Sequence, residues 1–113
     1  MMKQIVGIIK PFRLEAVEQA LHAIDHFPGF TLLNGKGHGR GSGIHHSYAP
    51  TEWAPARDCN LLIIYCSDTQ ADEIVETIKK AAYTGNPSDG VIAVCNVETI
   101  LRIRTGEQND DAV

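Results

Sequence analysis

The fold is decided by the stretch Cys59-Asn60-Leu61-Leu62-Ile63-Ile64-Tyr65-Cys66. This run is short, apolar and rich in residues that favour an extended backbone, so it predicts a buried strand. Side chains of a strand point alternately to its two faces, and from Leu61 to Ile64 both faces are apolar. We expect helices to cover one face of the resulting sheet and self-association to cover the other.

The segment before this stretch predicts a strand, a helix and another strand. Gln4–Ile9 is apolar and β-branched, and Lys10-Pro11-Phe12 ends it because proline cannot donate a hydrogen bond to a sheet. The following residues carry apolar side chains at three- and four-residue steps, which predicts an amphipathic helix that Pro28-Gly29 ends. This stripe consists of Leu14, Val17, Leu21 and Ile24. Phe30–Gly35 predicts the second strand.

The segment after the stretch repeats this pattern. Ser67 and Gln70 have the spacing of a capping box, which predicts the start of a second amphipathic helix. Gly85 is a natural stop for that helix. Its apolar stripe consists of Ala71, Ile74, Val75, Ile78 and Ala82. Val91–Val97 predicts a fourth strand and Thr99–Arg104 a short fifth strand.

The order of these elements predicts an α+β fold of the ferredoxin-like βαββαβ type, with an antiparallel sheet and both helices on one side. The 113 residues suffice for one core, so residues 1–113 are predicted to form a single domain. Residues 38–58 form a long loop between the second and third strands, and loops of that length in compact domains usually have a function. Residues 106–113 predict a mobile tail.

Composition excludes several classes of protein. With 10 basic and 14 acidic residues the net charge is −4, which argues against a nucleic-acid partner. The apolar runs are too short to span a bilayer, and the N-terminal segment lacks the apolar region of an export signal. Cys59, Cys66 and Cys95 are odd in number and lack CxxC spacing, which is typical of free thiols in a reducing compartment. We therefore expect a cytoplasmic protein without direct membrane insertion.

Alternating glycines mark the first candidate binding segment, Gly35-Lys36-Gly37-His38-Gly39-Arg40-Gly41. Glycines let a ligand approach the backbone closely, and exposed amides together with Arg40 suit an anion such as phosphate. The segment lacks the Gly-Lys-Ser/Thr of a Walker loop. Composition alone also fits a flexible loop base.

Two further segments are candidates for binding the same anion. Thr84-Gly85-Asn86-Pro87-Ser88-Asp89-Gly90 is a turn-rich run before a strand, and it also fits an ordinary connection between a helix and a strand. Arg102 and Arg104 alternate on a segment predicted to be extended, so both point to one side. Two neighbouring guanidinium groups favour an anion between them, although a solvated pair near a terminus is the alternative.

Histidine and cysteine side chains offer an alternative metal site. His38, His45, His46 and Cys59, with Glu52, are ligand types that suit Zn²⁺ or another transition metal. Their spacing matches no known rigid metal cage, and adjacent histidines in a loop are equally explained by exposure to solvent. The sequence contains no nucleophile elbow or catalytic triad, so we do not expect an enzyme.

Taken in order, several motifs resemble the PII nitrogen-signalling family along nearly the full length of the chain. They are Ile8-Ile9-Lys10-Pro11-Phe12, Gly37-His38-Gly39-Arg40, Ala81-Ala82-Tyr83-Thr84-Gly85, Ser88-Asp89-Gly90, Arg102-Ile103-Arg104-Thr105-Gly106-Glu107 and the closing Asp111-Ala112-Val113. The resemblance implies a homotrimer that holds adenine nucleotides in clefts between subunits. It also implies that residues 38–58 are the T-loop, through which such proteins contact a transporter or an enzyme.

The same resemblance implies the residues of the nucleotide site. The phosphates lie on the glycine-arginine segment, the turn before the last strand frames the base and ribose, and the two arginines reach in from the neighbouring subunit. The implied nucleotide-binding residues are Ile8, Thr31, Gly37, His38, Gly39, Arg40, Thr84, Ser88, Asp89, Gly90, Arg102 and Arg104.

Departures from the family pattern predict a changed ligand preference. Gly41 and Ser42 stand where nitrogen-sensing members have glutamine and lysine, and Cys59 and Val91 stand in the places of two phosphate-binding lysines, with Arg57 as a partial substitute. Fewer cations weaken binding of a triphosphate most, so ADP or AMP is predicted to bind better than ATP.

These departures favour a branch of the family outside nitrogen control. We expect a role in inorganic-carbon metabolism, with bicarbonate as a co-ligand at Gly39, Arg40 and Gly41. The alternatives are a metal-responsive PII-like protein linked to heavy-metal efflux, a nitrogen-regulatory PII that senses ATP and 2-oxoglutarate, and a purely structural trimer.

Overall fold

A computed structural model describes residues 1–38 and 56–113. The described strands are β1 (Met2–Ile9), β2 (Thr31–Gly37), β3 (Arg57–Ser67) and β4 (Gly90–Val97). The helices are α1 (Leu14–His22) and α2 (Asp68–Ala82), and short 3-10 helices span Pro11–Arg13 and Asn109–Ala112. The predicted order of the first six elements and the α+β class are confirmed. No helix within the described ranges has the length and apolarity needed to cross a membrane.

The strands form one antiparallel sheet in the order β2-β3-β1-β4. At one end of the sheet Ile9 lies opposite Gly90, and at the other end Met2 lies opposite Val97. β2 also finishes at the first of these ends, at Gly37. We call the two ends the Gly90 end and the Met2 end. The arrangement is that of the ferredoxin-like fold predicted from the sequence.

The core lies between one face of the sheet and the two helices. Its side chains come from alternate positions of β1 and β3 and from one stripe of each helix, as the period of the two element types requires. The largest fully buried side chains are Ile5, Val17, Leu21, Leu62, Ile64, Cys66, Ile74 and Ile78. Full burial of one such aliphatic side chain contributes about 1.5–3 kcal/mol, so this layer supplies a large favourable contribution to folding.

The opposite face of the sheet is also apolar, and we call it the open face. The strand register places Val6, Ile8, Leu33, Leu61, Ile63, Tyr65 and Val91 on it. Val91 is 63% exposed and Leu33 46% exposed. An exposed apolar surface of this kind marks an interaction site in a stable protein, which agrees with the expectation that other copies cover it.

The predicted fifth strand, Thr99–Arg104, is wrong. Leu101 makes an isolated bridge with Gln108, and residues 103–105 form a turn. The Arg102 amide donates a hydrogen bond to the Glu107 carbonyl oxygen at 2.8 Å, which closes a small hairpin. Within the described part of the chain no strand lies beside this segment, and Leu101 pairs with Gln108 of the same hairpin instead.

The predicted capping box at the start of α2 is also wrong. The Ser67 hydroxyl shares a hydrogen bond of 2.9 Å with the Thr69 hydroxyl, and it does not cap an amide of the helix. The Gln70 side chain donates to the carbonyl oxygen of His26 at 3.1 Å. Gln70 therefore anchors the loop after α1 to α2, a long-range contact that overrides the local pattern.

The first helix ends earlier than its apolar stripe predicts. α1 finishes at His22, before Pro28-Gly29. Ile24 is nevertheless buried, because its amide donates to the Leu21 carbonyl oxygen in a turn that keeps the side chain directed at the core. Phe27 and Phe30 lie against this core from the loop that leads to β2.

Candidate functional site

The candidate site lies at the Gly90 end of the sheet. β1 ends there with Ile9, β2 ends there with Gly37, and β4 begins there after the turn that follows α2. The fold thus brings to one end two segments that the sequence singles out separately, the glycine run and residues Thr84–Gly90. Ile8, on the open face, pairs with Val91 beside them.

The Thr84–Gly90 turn is organised by the carboxylate of Asp89. Its Oδ2 accepts hydrogen bonds from the amides of Thr84 at 2.7 Å and Gly85 at 2.9 Å. Its Oδ1 accepts a hydrogen bond from the Thr84 hydroxyl and lies 3.5 Å from Nζ of Lys10. Asp89 therefore ties the two arms of the turn together and links them to the end of β1. The turn is more than a simple connection between a helix and a strand.

These contacts hold the pKa of Asp89 far below its ordinary value. Burial of the carboxylate acts first and raises the pKa, because it disfavours the charged form. The hydrogen bonds from Thr84 and Gly85 and the charge of Lys10 outweigh burial and lower the pKa of Asp89 to about 2. Asp89 is thus ionised at neutral pH and acts in the turn only as an acceptor.

Gly90 closes the turn at a point where no other residue fits. Its φ angle is +120°, a conformation that L side chains rarely adopt, and a Cβ atom there would lie 1.8 Å from the Ile8 carbonyl oxygen. The glycine lets β4 start directly alongside β1. This predicted nucleotide-binding residue therefore has a conformational role in the structure.

Arg13 fixes the end of the helix that leads into the turn. Its Nε and Nη2 atoms donate to the Ala81 carbonyl oxygen at 3.0 and 2.6 Å. A cation at the C-terminus of a helix also interacts favourably with the helix dipole. The sequence predicts no role for Arg13 or for Lys10, because their contacts are with residues about seventy to eighty positions away. The Lys10-Pro11-Phe12 motif is the signal in the sequence that points to this region.

The glycine segment is described only in part. Gly37 lies opposite Arg57, and a Cβ atom at Gly37 would meet nothing within 4 Å. His38 is exposed. The predicted anion residues Gly39, Arg40 and Gly41 lie outside the described residues, as does most of the loop 38–58.

The neighbouring residues Lys36 and Asp58 form an ion pair with 2.5 Å between Lys36 Nζ and Asp58 Oδ1. The register places this pair on the helix-covered side of the sheet, away from the face of Ile8. The hydrogen bond and the charge of Asp58 raise the pKa of Lys36.

The two predicted arginines belong to the opposite end of the sheet. β4 finishes at Val97, opposite Met2, and the Ile100 amide donates to the Asn109 side chain at 3.3 Å at the base of the hairpin. Arg102 lies on this hairpin, with Nε 3.8 Å from a carboxylate oxygen of Glu107. The expectation that both arginines lie on an extended segment is wrong, since Arg104 lies in the turn.

The remaining predicted residues have mixed placements. Thr31 begins β2 opposite Ile63 and is exposed, and Ser88 is exposed within the Thr84–Gly90 turn. Of the alternative metal ligands, Cys59 lies half-buried opposite Gly35, and His45 and His46 lie outside the described residues. No group of three metal-ligating side chains occurs within residues 1–38 and 56–113.

Comparison with known proteins gives the family. The family model described as nitrogen regulatory protein P-II matches residues 2–107. The chain belongs to the PII family. Nitrogen regulatory protein P-II of Azospirillum brasilense is 39% identical over 113 residues, covering 99% of this chain and 100% of that protein. Nitrogen regulatory protein GlnK of Escherichia coli K12 is 39% identical over 116 residues, and P-II of Rhodospirillum rubrum is 40% identical over 116 residues, with the same coverage.

Membership in the PII family confirms the resemblance read from the motifs. PII proteins are regulatory signalling proteins and not enzymes, so the prediction that the chain is not an enzyme is also confirmed. As a class they bind adenine nucleotides and contact partner proteins as homotrimers.

Proposed function

We propose that this PII protein signals by binding an adenine nucleotide at the Gly90 end of the sheet, with ADP or AMP preferred over ATP. The observation that carries the proposal is the Asp89-centred turn, held rigid beside the end of β1 and at the same end as Gly37. A rigid turn can present its outer backbone atoms to a base and ribose without a large loss of entropy on binding. The adjoining glycine segment offers amides to phosphate.

The site is shared between copies of the chain in this proposal. Arg102 and Arg104 start from the Met2 end, so a neighbouring copy is the natural source of arginines at the Gly90 end. The apolar open face supports the association of copies, because exposed apolar residues such as Val91 and Leu33 on one sheet face are typical of an interaction surface. A homotrimer, the assembly of the family, satisfies both features.

Charge at the Gly90 end supports the preference for a short phosphate chain. Lys36 is paired with Asp58 on the other face of the sheet. Val91 and Cys59, on the face of Ile8, are uncharged, which leaves Lys10 and Arg57 as the described cations of that face at this end. A triphosphate brings more negative charge than a diphosphate and depends more on cations, so it loses more affinity where cations are scarce.

The proposed regulation acts through the loop 38–58 in the cytoplasm. Bicarbonate bound at Gly39, Arg40 and Gly41 next to the nucleotide would make the loop respond to the concentration of inorganic carbon in the cell. The loop would then contact a transporter or an enzyme. This part of the proposal rests on the sequence of the loop, because glycines let an anion approach the backbone closely.

Calorimetric titration of the purified protein tests the proposal. We expect saturable binding of ADP and AMP, weaker binding of ATP, and a tighter ADP complex when bicarbonate is present at constant pH and ionic strength. Linkage requires the same factor to appear in bicarbonate binding when ADP is present. ATP binding tighter than ADP overturns the preference, and identical ADP affinity with and without bicarbonate overturns the coupling.

A second candidate function is nitrogen regulation through ATP and 2-oxoglutarate. The names of the relatives favour it, since the proteins of Azospirillum brasilense and Escherichia coli are both called nitrogen regulatory proteins. Gly41 and Ser42 in place of the glutamine and lysine argue against it. Tightening of ATP binding by 2-oxoglutarate would support this candidate. Stoichiometric Zn²⁺ binding that is lost in a His45→Ala, His46→Ala variant would support the metal-responsive alternative.

A further inference from the structure

Lys10 occupies a central position between the two ends of the proposed ligand. β1 is adjacent to β4 and separated from β2 by β3. Neighbouring strands lie about 4.8 Å apart, so the ends of β1 and β2 are separated by about 10 Å. A ligand with its base at the Thr84–Gly90 turn and its phosphates at Gly37 must pass over the ends of β1 and β3. Lys10 directly follows Ile9, the last residue of β1.

The side of the sheet to which Lys10 belongs follows from the strand alternation. Gln4, Val6 and Ile8 lie on the open face, and the backbone of Lys10 continues extended with φ −72° and ψ 141°. Lys10 therefore belongs to the face of Ile8, where the nucleotide is proposed to lie. Its side chain is 21% exposed.

The ammonium group of Lys10 has capacity to bind a further anion. It has three donor hydrogens. Its described contacts are the 3.5 Å ion pair with Asp89 and the ring of Phe12, 5.9 Å from Nζ. Asp89 is meanwhile satisfied by the hydrogen bonds from Thr84 and Gly85, so its position does not depend on Lys10. Asp89 thus holds the ammonium group near the ligand path without using all of its donors.

We propose that Lys10 is a phosphate-binding residue of the nucleotide site and that Asp89 holds its ammonium group in place. This inference rests on the proposed function and specifies which cation receives the phosphates close to the ribose. With Cys59 and Val91 uncharged on the same face, Lys10 supplies a positive charge directly on the path of the ligand. The ion pair with Asp89 keeps the unliganded lysine from folding back into solvent.

Calorimetric binding of adenosine, AMP and ADP to the full-length protein separates a phosphate contact from a structural effect. In Lys10→Met we expect ADP affinity to fall about tenfold or more, the range of one hydrogen bond to a charged group. Adenosine affinity, measured by displacement of ADP if it is weak, is expected to change by less than about twofold. Lys10→Arg, which keeps the charge, is expected to retain most of the ADP affinity.

Lys36→Met is the matched control. Lys36 is also an ion-paired lysine at the Gly90 end, but its pair with Asp58 lies on the other face of the sheet. We expect it to leave the ratio of ADP to adenosine affinity unchanged within about twofold. Equal loss of adenosine and ADP affinity in Lys10→Met, or no loss at all, overturns the inference while the proposed function stands. Failure of the unmodified protein to bind any of the three compounds overturns the proposed function itself, and with it the inference.

Discussion

A Cβ atom at Gly90 would lie 1.8 Å from the carbonyl oxygen of Ile8. This contact fixes where β4 begins, because only a glycine lets the two backbones come so close with φ at +120°. The start of β4 in turn determines where the Thr84–Gly90 turn is closed. One backbone contact therefore determines the boundary between the Thr84–Gly90 turn and β4.

We expect Gly90→Ala to be strongly destabilising, by about 3 kcal/mol or more, since both the contact and the backbone angle oppose a side chain. Urea unfolding followed by circular dichroism measures the effect. Gly37→Ala is the control, because a Cβ atom there meets nothing within 4 Å, and it should change the free energy of unfolding by less than about 1 kcal/mol. Similar values for the two variants would contradict the proposed contact.

The depressed pKa of Asp89 predicts a pH dependence of stability. A carboxylate whose pKa is lower in the folded chain than in the unfolded chain stabilises the fold above the unfolded value, about 3.9. That contribution is lost as the pH falls toward the folded value of about 2. Asp89→Asn should therefore be less stable than the unmodified protein near neutral pH, with the difference shrinking as the pH falls from about 4 to about 2.

Urea unfolding at a series of pH values tests this prediction. Near neutral pH we expect a loss of about 2 kcal/mol in Asp89→Asn, because the amides of Thr84 and Gly85 lose a charged acceptor. Glu73→Gln, on the exposed surface of α2, controls for loss of a charge and should have a small effect at every pH. A difference for Asp89→Asn that stays constant down to about pH 2 contradicts the assigned pKa.

Removal of Arg13 should loosen the turn without unfolding the core. Arg13→Met removes both hydrogen bonds that Arg13 donates to the Ala81 carbonyl oxygen, and it keeps much of the apolar part of the side chain. We expect a loss of about 1–2 kcal/mol and faster hydrogen exchange at the amides of Thr84 and Gly85. Lys80→Met, an exposed cation of the same helix end, is the control. Unchanged exchange at these two amides would show that Arg13 does not hold the turn.

The arginine hairpin at the Met2 end predicts complementation between two defective chains. A chain with Arg102→Ala and Arg104→Ala cannot supply these two arginines to the nucleotide site of its neighbour. A chain with Asp89→Asn lacks the carboxylate that organises the Thr84–Gly90 turn. Each alone should bind ADP poorly. When the two are refolded together in equal amounts, about one quarter of the clefts should combine an intact turn with intact arginines. ADP stoichiometry measures this, and absence of any recovery argues against a shared site.

The scarcity of cations predicts a gain of ATP binding from one substitution. Val91 is 63% exposed on the open face and pairs with Ile8, so a longer side chain has room there. Val91→Lys should tighten ATP binding by about tenfold and ADP binding by less, because the additional charge meets the longer phosphate chain. Val91→Met matches the size without the charge. Equal tightening of ATP and ADP by Val91→Lys would contradict the explanation based on phosphate number.

Sequence periodicity is sufficient for the elements whose stability comes from the core. The stripes through Leu21 and Ile74 predict both helices, and the run Leu61–Ile64 predicts β3, because burial against one layer imposes a regular spacing. Periodicity fails at Thr99–Arg104, where β-branched residues find no partner strand among residues 1–38 and 56–113 and Leu101 makes only an isolated bridge. It also cannot reveal that Gln70 bonds to His26 instead of capping its own helix, since that partner lies in another segment.

The residue types of the candidate site could be predicted from the sequence, but their arrangement in space could not. The glycines and the Ser88-Asp89-Gly90 motif lie at one end of the sheet, because they flank strands that meet there. What the sequence does not contain is the direction of the Asp89 carboxylate, which turns toward Thr84 and Lys10. The importance of Lys10 and Arg13 arises only when β1 and the end of α2 are brought together, so no local pattern reveals it.

The position of β1 in the sheet has a consequence for how the chain folds. β1 comes first in the sequence, yet it lies between β3 and β4, and Met2 pairs with Val97. Its partners on both sides therefore become available only after most of the chain has been synthesised. Pairings between such distant residues slow folding, because the intervening chain must be ordered before the contact stabilises it. During synthesis the apolar β1 remains unpaired, and it is the segment of this protein that a chaperone would need to shield.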